Sequence, residues 1–200
     1  MTAPLRFRCT GCGNCCRSLR VAITAHDLQR LVRATGRDAS ELVAWLEPDA
    51  VDMAGEPESF VELSEGRRLM VLAQEGGACR LLGSDDRCGA YPARPRDCRT
   101  FPFDFGAPAP RASSSRLSLL PLVGCDYADD GDNDVAVLEA EDAARWRELQ
   151  SYQALVLRWN RRAFHRRRLH KSIGAAAAFL DFIERALLAP TQSAESKTVP

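Results

Sequence analysis

Residues 9–16 read CTGCGNCC, which places Cys9, Cys12, Cys15 and Cys16 in a C-x2-C-x2-C-C arrangement, four thiols within eight residues. Two-residue spacing lets a chain curl so that successive thiolates converge on one ion or cluster. Gly11 and Gly13 stand between the first three cysteines and permit the tight turns this needs, with N–H groups open toward sulfur. Isolated cysteines serve well as small buried hydrophobes. Four in eight residues, flanked by Gly, Asn, Thr and Arg, read instead as metal ligands.

Working outward, Cys79, Cys88, Cys98 and Cys125 bring the total to eight in 200 residues. This later group lacks paired knuckles, so only folding can bring it to the first. Ferredoxins of the bacterial type use C-x2-C-x2-C-x3-C-P. Cys9, Cys12 and Cys15 match its first three positions, but no cysteine stands four beyond Cys15. Eight thiols allow two ions of four thiolates each, one four-iron cluster with spare thiols, or a shared polynuclear site, and spacing does not choose among these.

The compartment bears on that reading. The first residues, MTAPLRFRCT, hold two arginines and no apolar run of the roughly 7–15 residues a secretory signal needs. The longest uncharged, mostly apolar stretches, 117–125 and 173–180, fall far short of the roughly 20 residues that span a bilayer. A cytoplasmic, reducing location is expected, where cysteines serve as metal ligands or redox centres rather than disulfides. Lys plus Arg equals Asp plus Glu at 27 each, so net charge argues for neither nucleic acid nor a membrane surface.

The pattern around the cysteines predicts an α+β fold. It consists of a small, irregular, metal-nucleated cysteine-rich domain over residues 1–126 with a short β-hairpin, then a C-terminal helical hairpin over 140–189 and a disordered tail, 190–200. Thr24 and Asp27 form a capping-box-like helix start, Leu28, Leu31 and Val32 give one apolar face, and Gly36 is a C-cap. A second helix is expected from Ser40, with Leu42, Val43, Trp45 and Leu46 as its apolar set, and Pro48 just beyond. Residues 60–74 alternate on both sides of a Glu65-Gly66 turn, as a hairpin does. One more strand is expected over 116–123. Residues 126–142 carry eight acids and read as a linker. Beyond it, Trp146, Leu149, Tyr152, Val156, Trp159 and Ala163 fall three or four apart, predicting a helix over 141–171, with a last helix over 173–188.

Charge compensation is a second signal. Eight thiolates on two zinc ions leave about −4, and a four-iron cluster on four thiolates about −2. Arg6, Arg8, Arg17, Arg20, Arg80, Arg87, Arg94, Arg96 and Arg99 crowd the cysteines. As a set they can offset that charge and donate to sulfur or nearby carbonyls. His26, His165 and His170 read as surface residues rather than ligands. The stretch 161–171, RRAFHRRRLHK, holds six basic residues. It reads as a solvated face beside the acidic segment, so a protein or redox partner is expected, and nucleic acid and membrane are not.

With these residues in hand, the chain resembles the cysteine-cluster proteins described as zinc- or iron-chelating domains and named for the C-x2-C-x2-C-C motif. The resemblance runs through Gly77, Cys79, Arg80, Leu81 and Leu82. It then reaches Cys88, Tyr91, Arg94, Pro95, Cys98, Arg99, Phe101 and Pro102, similar to the family's C-x-x-Y-x-x-R-P-x-x-C-R-x-F-P. Cys125 also fits, and the match covers roughly residues 6–126. The resemblance implies that all eight cysteines, Cys9, Cys12, Cys15, Cys16, Cys79, Cys88, Cys98 and Cys125, bind an iron–sulfur cluster or Zn2+. Tyr91 and Arg94 read as outer support that orients thiolates, or as a turn-locking pair. One relative, the flagellin lysine-N-methylase, resembles the family in its cysteine cluster, which makes an iron–sulfur enzyme of methyl transfer or redox chemistry the alternative. No G-x-x-x-x-G-K-[ST], G-x-S-x-G, H-E-x-x-H or C-x3-C-x2-C signature stands in the chain.

Overall fold

The structure is a computed structural model that describes residues 6–51, 56–105, 117–120 and 127–188. Cys125, the 190–200 tail and half of the strand expected over 116–123 lie outside the described residues. Within that strand, Ser118–Leu119 is extended and pairs antiparallel with Phe103–Asp104.

Helix and strand are mixed, as expected. Helix α2 (Ala25–Thr35) starts where the Thr24 hydroxyl oxygen accepts from the Asp27 N–H at 3.2 Å and the Asp27 carboxylate accepts from the Thr24 N–H at 2.9 Å. It ends at Gly36, whose φ of 67° is left-handed. The next helix, α3 (Ala39–Leu42), is shorter than expected, because the chain turns extended at Val43 and forms strand β2 (Val43–Leu46). Val43 and Trp45, a β-branched and an aromatic residue, pair with Leu72 and Met70 there, and sheet packing outweighs the helical spacing of the same apolar set.

Strands β3 (Phe60–Leu63) and β4 (Gly66–Leu72) form the expected hairpin, with β4 central in the order β2-β4-β3. Leu63 pairs with Gly66, so the two-residue turn is Ser64 and Glu65, one residue earlier than the Glu65-Gly66 reading. Alternation decides which side chain goes where. Val43, Trp45, Val61, Leu63, Met70 and Leu72 face the main core, while Ala44, Leu46, Phe60, Leu69 and Val71 gather in a smaller cluster on the other face.

Helix α5 (Val135–Arg168) begins six residues before the expected position 141, inside the acidic segment. The Asp134 carboxylate caps it by accepting from the N–H groups of Ala136 and Val137. Its Tyr152, Leu155, Val156 and Ala163 are buried. Helix α6 (Ala176–Leu188) docks through Phe179, which is fully buried and meets the rings of Trp45, Tyr152 and Trp159 edge-on at 5.9, 6.4 and 5.3 Å. Both helices therefore share the main core with α2 and the sheet. Burial of this kind contributes about 1.5–3 kcal/mol for each large apolar side chain.

Strand β3 lies at the edge of the sheet, and α5 covers it with polar side chains. The Asn160 amide accepts from the Glu62 N–H at 2.8 Å and donates to the Phe60 carbonyl at 2.9 Å, and the Trp159 indole donates to the Glu62 carbonyl at 2.8 Å. No described helix is long and apolar enough to cross a membrane.

Candidate metal centre

The first four cysteines sit on a loop and a single helical turn. Cys9 is exposed on β1 (Arg8–Cys9), opposite Tyr127, two residues along the chain from Cys125. Cys15 and Cys16 open helix α1 (Asn14–Ser18), which starts from a left-handed Gly13 with φ 69°. A Cβ at Gly13 would stand 3.1 Å from the Asp86 carbonyl oxygen and 3.3 Å from a Leu82 methyl. Glycine here lets the cysteine loop lie directly against the 82–87 loop. Arg17 ties the two loops together, pairing with the Asp86 carboxylate and donating to the Cys12 carbonyl at 3.3 Å.

The other cysteines arrive on three short elements. Cys79 ends strand β6 (Ala78–Cys79), and its carbonyl accepts from the Leu82 N–H at 2.9 Å. Cys88 bridges to Leu82, and its carbonyl accepts from the Tyr91 N–H at 3.2 Å. Cys98 lies in helix α4 (Arg96–Thr100). All three are half-buried and pack against the main core. The turn between Cys88 and Cys98 is stiffened by Pro92 and Pro95 and held by Arg99, which donates to the Arg94 carbonyl at 3.0 Å and the Pro92 carbonyl at 2.6 Å. Arg94 stacks its guanidinium 3.7 Å over the Tyr91 ring.

The charges of the cysteines bear on one another. The Cys16 thiol donates to Cys15 and lowers the Cys15 ionisation to about 6 against the opposing effect of burial, with Arg94 helping. Cys16 is pushed up, first by that same hydrogen bond and then by burial and the charges of Cys15, Cys79 and Cys88. Burial also pushes Cys79 up, with Cys88 and Cys15 adding to it. Cys98 rises chiefly through burial, then through Cys79 and Asp97, with Arg94 opposing. Cys12 lies close enough to Arg17 for its charge to be felt there. Among the described residues, no three His, Cys, Asp or Glu side chains stand ready to hold a metal ion.

Two observations fit a thiophilic metal all the same. The converging donors are thiols, which select zinc or iron over magnesium or calcium. Arg94 also keeps a buried Nε–H with no hydrogen-bond partner among the described residues, beside Cys15 and Cys98. A buried donor left unpaired is costly unless an anionic acceptor meets it.

The arginine reading needs correction. Arg8 pairs with Asp130 at 2.8 Å, and Arg80 pairs with Glu75 at 3.3 Å and donates to the Glu41 carbonyl at 2.7 Å. Arg96 is spent on carboxylates altogether. Its guanidinium meets Glu141 and, at 3.1 Å, Glu148, while its backbone N–H donates to Asp27 at 3.0 Å. Arg30 joins the same network through Glu148 at 2.7 Å and Asp27. Asp97 is pushed up to about 6 by burial, with Arg145 opposing and Asp27 and Glu56 adding like charge. Arg94 and Arg17, by contrast, couple to the thiols, Arg94 to Cys15 and Cys98 and Arg17 to Cys12 and Cys16.

The network has a use for the site, because it pins α4, and with it Cys98, between α2 and α5. Asp27, Arg30 and Glu148 were not legible as site support, since they lie far from any cysteine in the chain. Among the histidines, His165 and His170 are exposed, and His26 is half-buried beside the Ser151 hydroxyl at 3.1 Å.

Comparison with known proteins agrees with the motif reading. No curated protein and no solved structure matches the chain. A family model does match, over residues 8–117, a span that holds seven of the eight cysteines and leaves Cys125 and all of α5 outside. The chain thus belongs to the CxxCxxCC family, whose description reads "Putative zinc- or iron-chelating domain".

Proposed function

We propose that the protein binds metal through thiolates drawn from Cys9, Cys12, Cys15, Cys16, Cys79, Cys88, Cys98 and Cys125, and that the metal is iron in an iron–sulfur cluster, with zinc as the alternative ion. The observation that carries this reading is that Cys79, Cys88 and Cys98, from three separate segments, pack against one core, while the charges of Cys79 and Cys88 reach Cys16 and that of Cys15 reaches Cys79 and Cys98. The C-x2-C-x2-C spacing shared with ferredoxins favours iron. The guanidinium groups of Arg17 and Arg94 can offset the charge of an anionic centre with either metal.

A bound cluster would supply one-electron redox chemistry. The chain's own residues orient and shield the thiolates. The buried, unpaired Nε–H of Arg94 is available to a thiolate, the Tyr91 ring stacks on the same guanidinium, and Gly13 and Arg17 hold the first cysteine loop against the second. Such a centre belongs in a reducing cytoplasm.

The test is metal and acid-labile sulfide content of protein purified without oxygen, together with its visible spectrum. Iron, sulfide and a broad visible band are expected. Colourless protein with about one or two zinc ions per chain would replace the cluster with a structural centre, and would leave an iron–sulfur enzyme without its cofactor.

A further inference from the structure

Between Glu148 and Asp181 the chain holds no carboxylate and seven Lys or Arg residues, Arg158, Arg161, Arg162, Arg166, Arg167, Arg168 and Lys171. All seven are exposed. Among the described residues, Arg167 alone of these pairs with a carboxylate, Glu62 at 3.1 Å. The acidic segment is not their counterweight. It lies at the opposite end of α5, where Asp142 stands about 28 Å from Arg161 along the helix, several screening lengths at ordinary ionic strength. Its Asp130, Glu141 and Asp142 already engage Arg8, Arg96 and Arg145. Cations do favour a helix C-terminus, but that effect fades within the last turn. The basic run begins at Arg158, almost three turns before the helix ends.

The run also has an order. Leu157, Arg161, Phe164 and Arg168 follow one another at spacings of four, three and four and so line one stripe of α5. Phe164 is 57% exposed, and Arg168 lies 5.9 Å from its ring centre. Across the helix from this stripe, on the side turned to α6, a groove of about 450 Å³ opens, lined in part by Trp159, Arg162, Arg166, Ser172 and Gly174. Arg158 and Arg162 rest on the Phe182 ring at 5.7 and 5.1 Å, and Arg166 donates to the Ser172 carbonyl, so the groove's cations are held in place. An interfacial membrane helix would present a broad apolar face. Here the exposed apolar residues are single and separated by arginines.

We propose that the last three turns of α5 bind single-stranded nucleic acid, with a base stacked on Phe164 and phosphates on Arg161 and Arg168 of the same stripe and on Arg162 farther round the exposed side of the helix. Single strands fit best, because a ring standing out among cations can stack on an unpaired base and finds none free in a duplex.

Fluorescence anisotropy of the full-length protein, as purified, with a labelled single-stranded RNA of about twelve nucleotides tests this. Saturable binding is expected that weakens about twentyfold between 50 and 200 mM salt if about three phosphates are neutralised. Phe164→Ala is expected to weaken it about fivefold or more while leaving the salt slope unchanged. The double variant Arg161→Ala/Arg168→Ala is expected to flatten the slope by about 1.4. These side chains are exposed, so thermal melting of the variants should match the parent. Absence of saturable binding, indifference to Phe164→Ala, or equal competition by heparin or by phosphatidylserine vesicles would overturn the proposal, the last by marking a general polyanion or membrane surface. None of these readouts depends on which metal the cysteines hold.

Discussion

Cys15 and Cys16, adjacent in the chain, are coupled side chain to side chain, which lowers the ionisation of Cys15 and raises that of Cys16. A thiolate is thereby prepared on one of them before any metal arrives, while the other keeps its proton for a metal to displace.

That asymmetry can be read by alkylation of metal-free protein. Cys15 ionises near 6 with Cys16 as its donor, so its modification by iodoacetamide, followed by mass spectrometry, should rise through about that pH. Cys16→Ala removes the donor and should move the midpoint up toward the usual thiol range, above about 8. A midpoint that stays put would mean that the pair is not hydrogen-bonded.

Metal removal should act unevenly. Ligation supplies on the order of 10 kcal/mol to a structural zinc site, but the apolar core of α2, the sheet, α5 and α6 stands on its own buried side chains. Chelation is expected to abolish amide protection in residues 9–20 and 76–90 while the sheet, α4 and α5 remain protected. Hydrogen exchange with and without chelator decides it, and uniform loss across the chain would show that the metal nucleates the whole fold.

Glu148 supports α4 through charge. Burial disfavours its carboxylate, but Arg30 and Arg96 outweigh that and hold it below the ordinary glutamate range. A lowered folded-state value means stability that is present above the unfolded value and lost as pH falls through the folded one. Glu148→Gln should therefore cost about 2 kcal/mol at neutral pH, and the gap from the parent should close below about pH 4.5. Urea melts at several pH values measure it, and a gap that widened in acid would rule the network out.

Gly13→Ala meets two obstacles, a left-handed backbone and close approach to Asp86 and Leu82. The backbone alone costs about 1–2 kcal/mol. Because the strain falls where the two cysteine loops touch, metal content should drop along with the melting temperature. Gly36→Ala has the same φ sign but open space around it, and should lower stability without touching metal content.

Local chemistry with fixed offsets was legible in the chain itself. The cysteine spacing, the Thr24 and Asp27 cap, the hairpin alternation and the apolar stripe of α5 are all of that kind. Val43, Trp45 and Leu46 misled because a short apolar run suits either a helix or a strand, and its partner, β4, lies some 25 residues on. The early start of α5 was hidden by acids that look like a linker until Asp134 is seen as a cap. Arg96 could not be separated from its neighbours, because the carboxylates that claim it come from α2 and α5. Such pairings are set by folding alone.

The amide of Asn160, laid against β3, also decides what the sheet can attract. By answering the outward N–H of Glu62 and the carbonyl of Phe60, it denies an approaching strand the two groups it would first grip. A chain cut before residue 159 would keep the hairpin but offer it as a template, and its copies would zip onto one another through that rim. Self-assembly is thus held in check by Asn160 together with the neighbouring Trp159 indole, both more than 100 residues away in the chain from the β2 strand on the sheet's other rim.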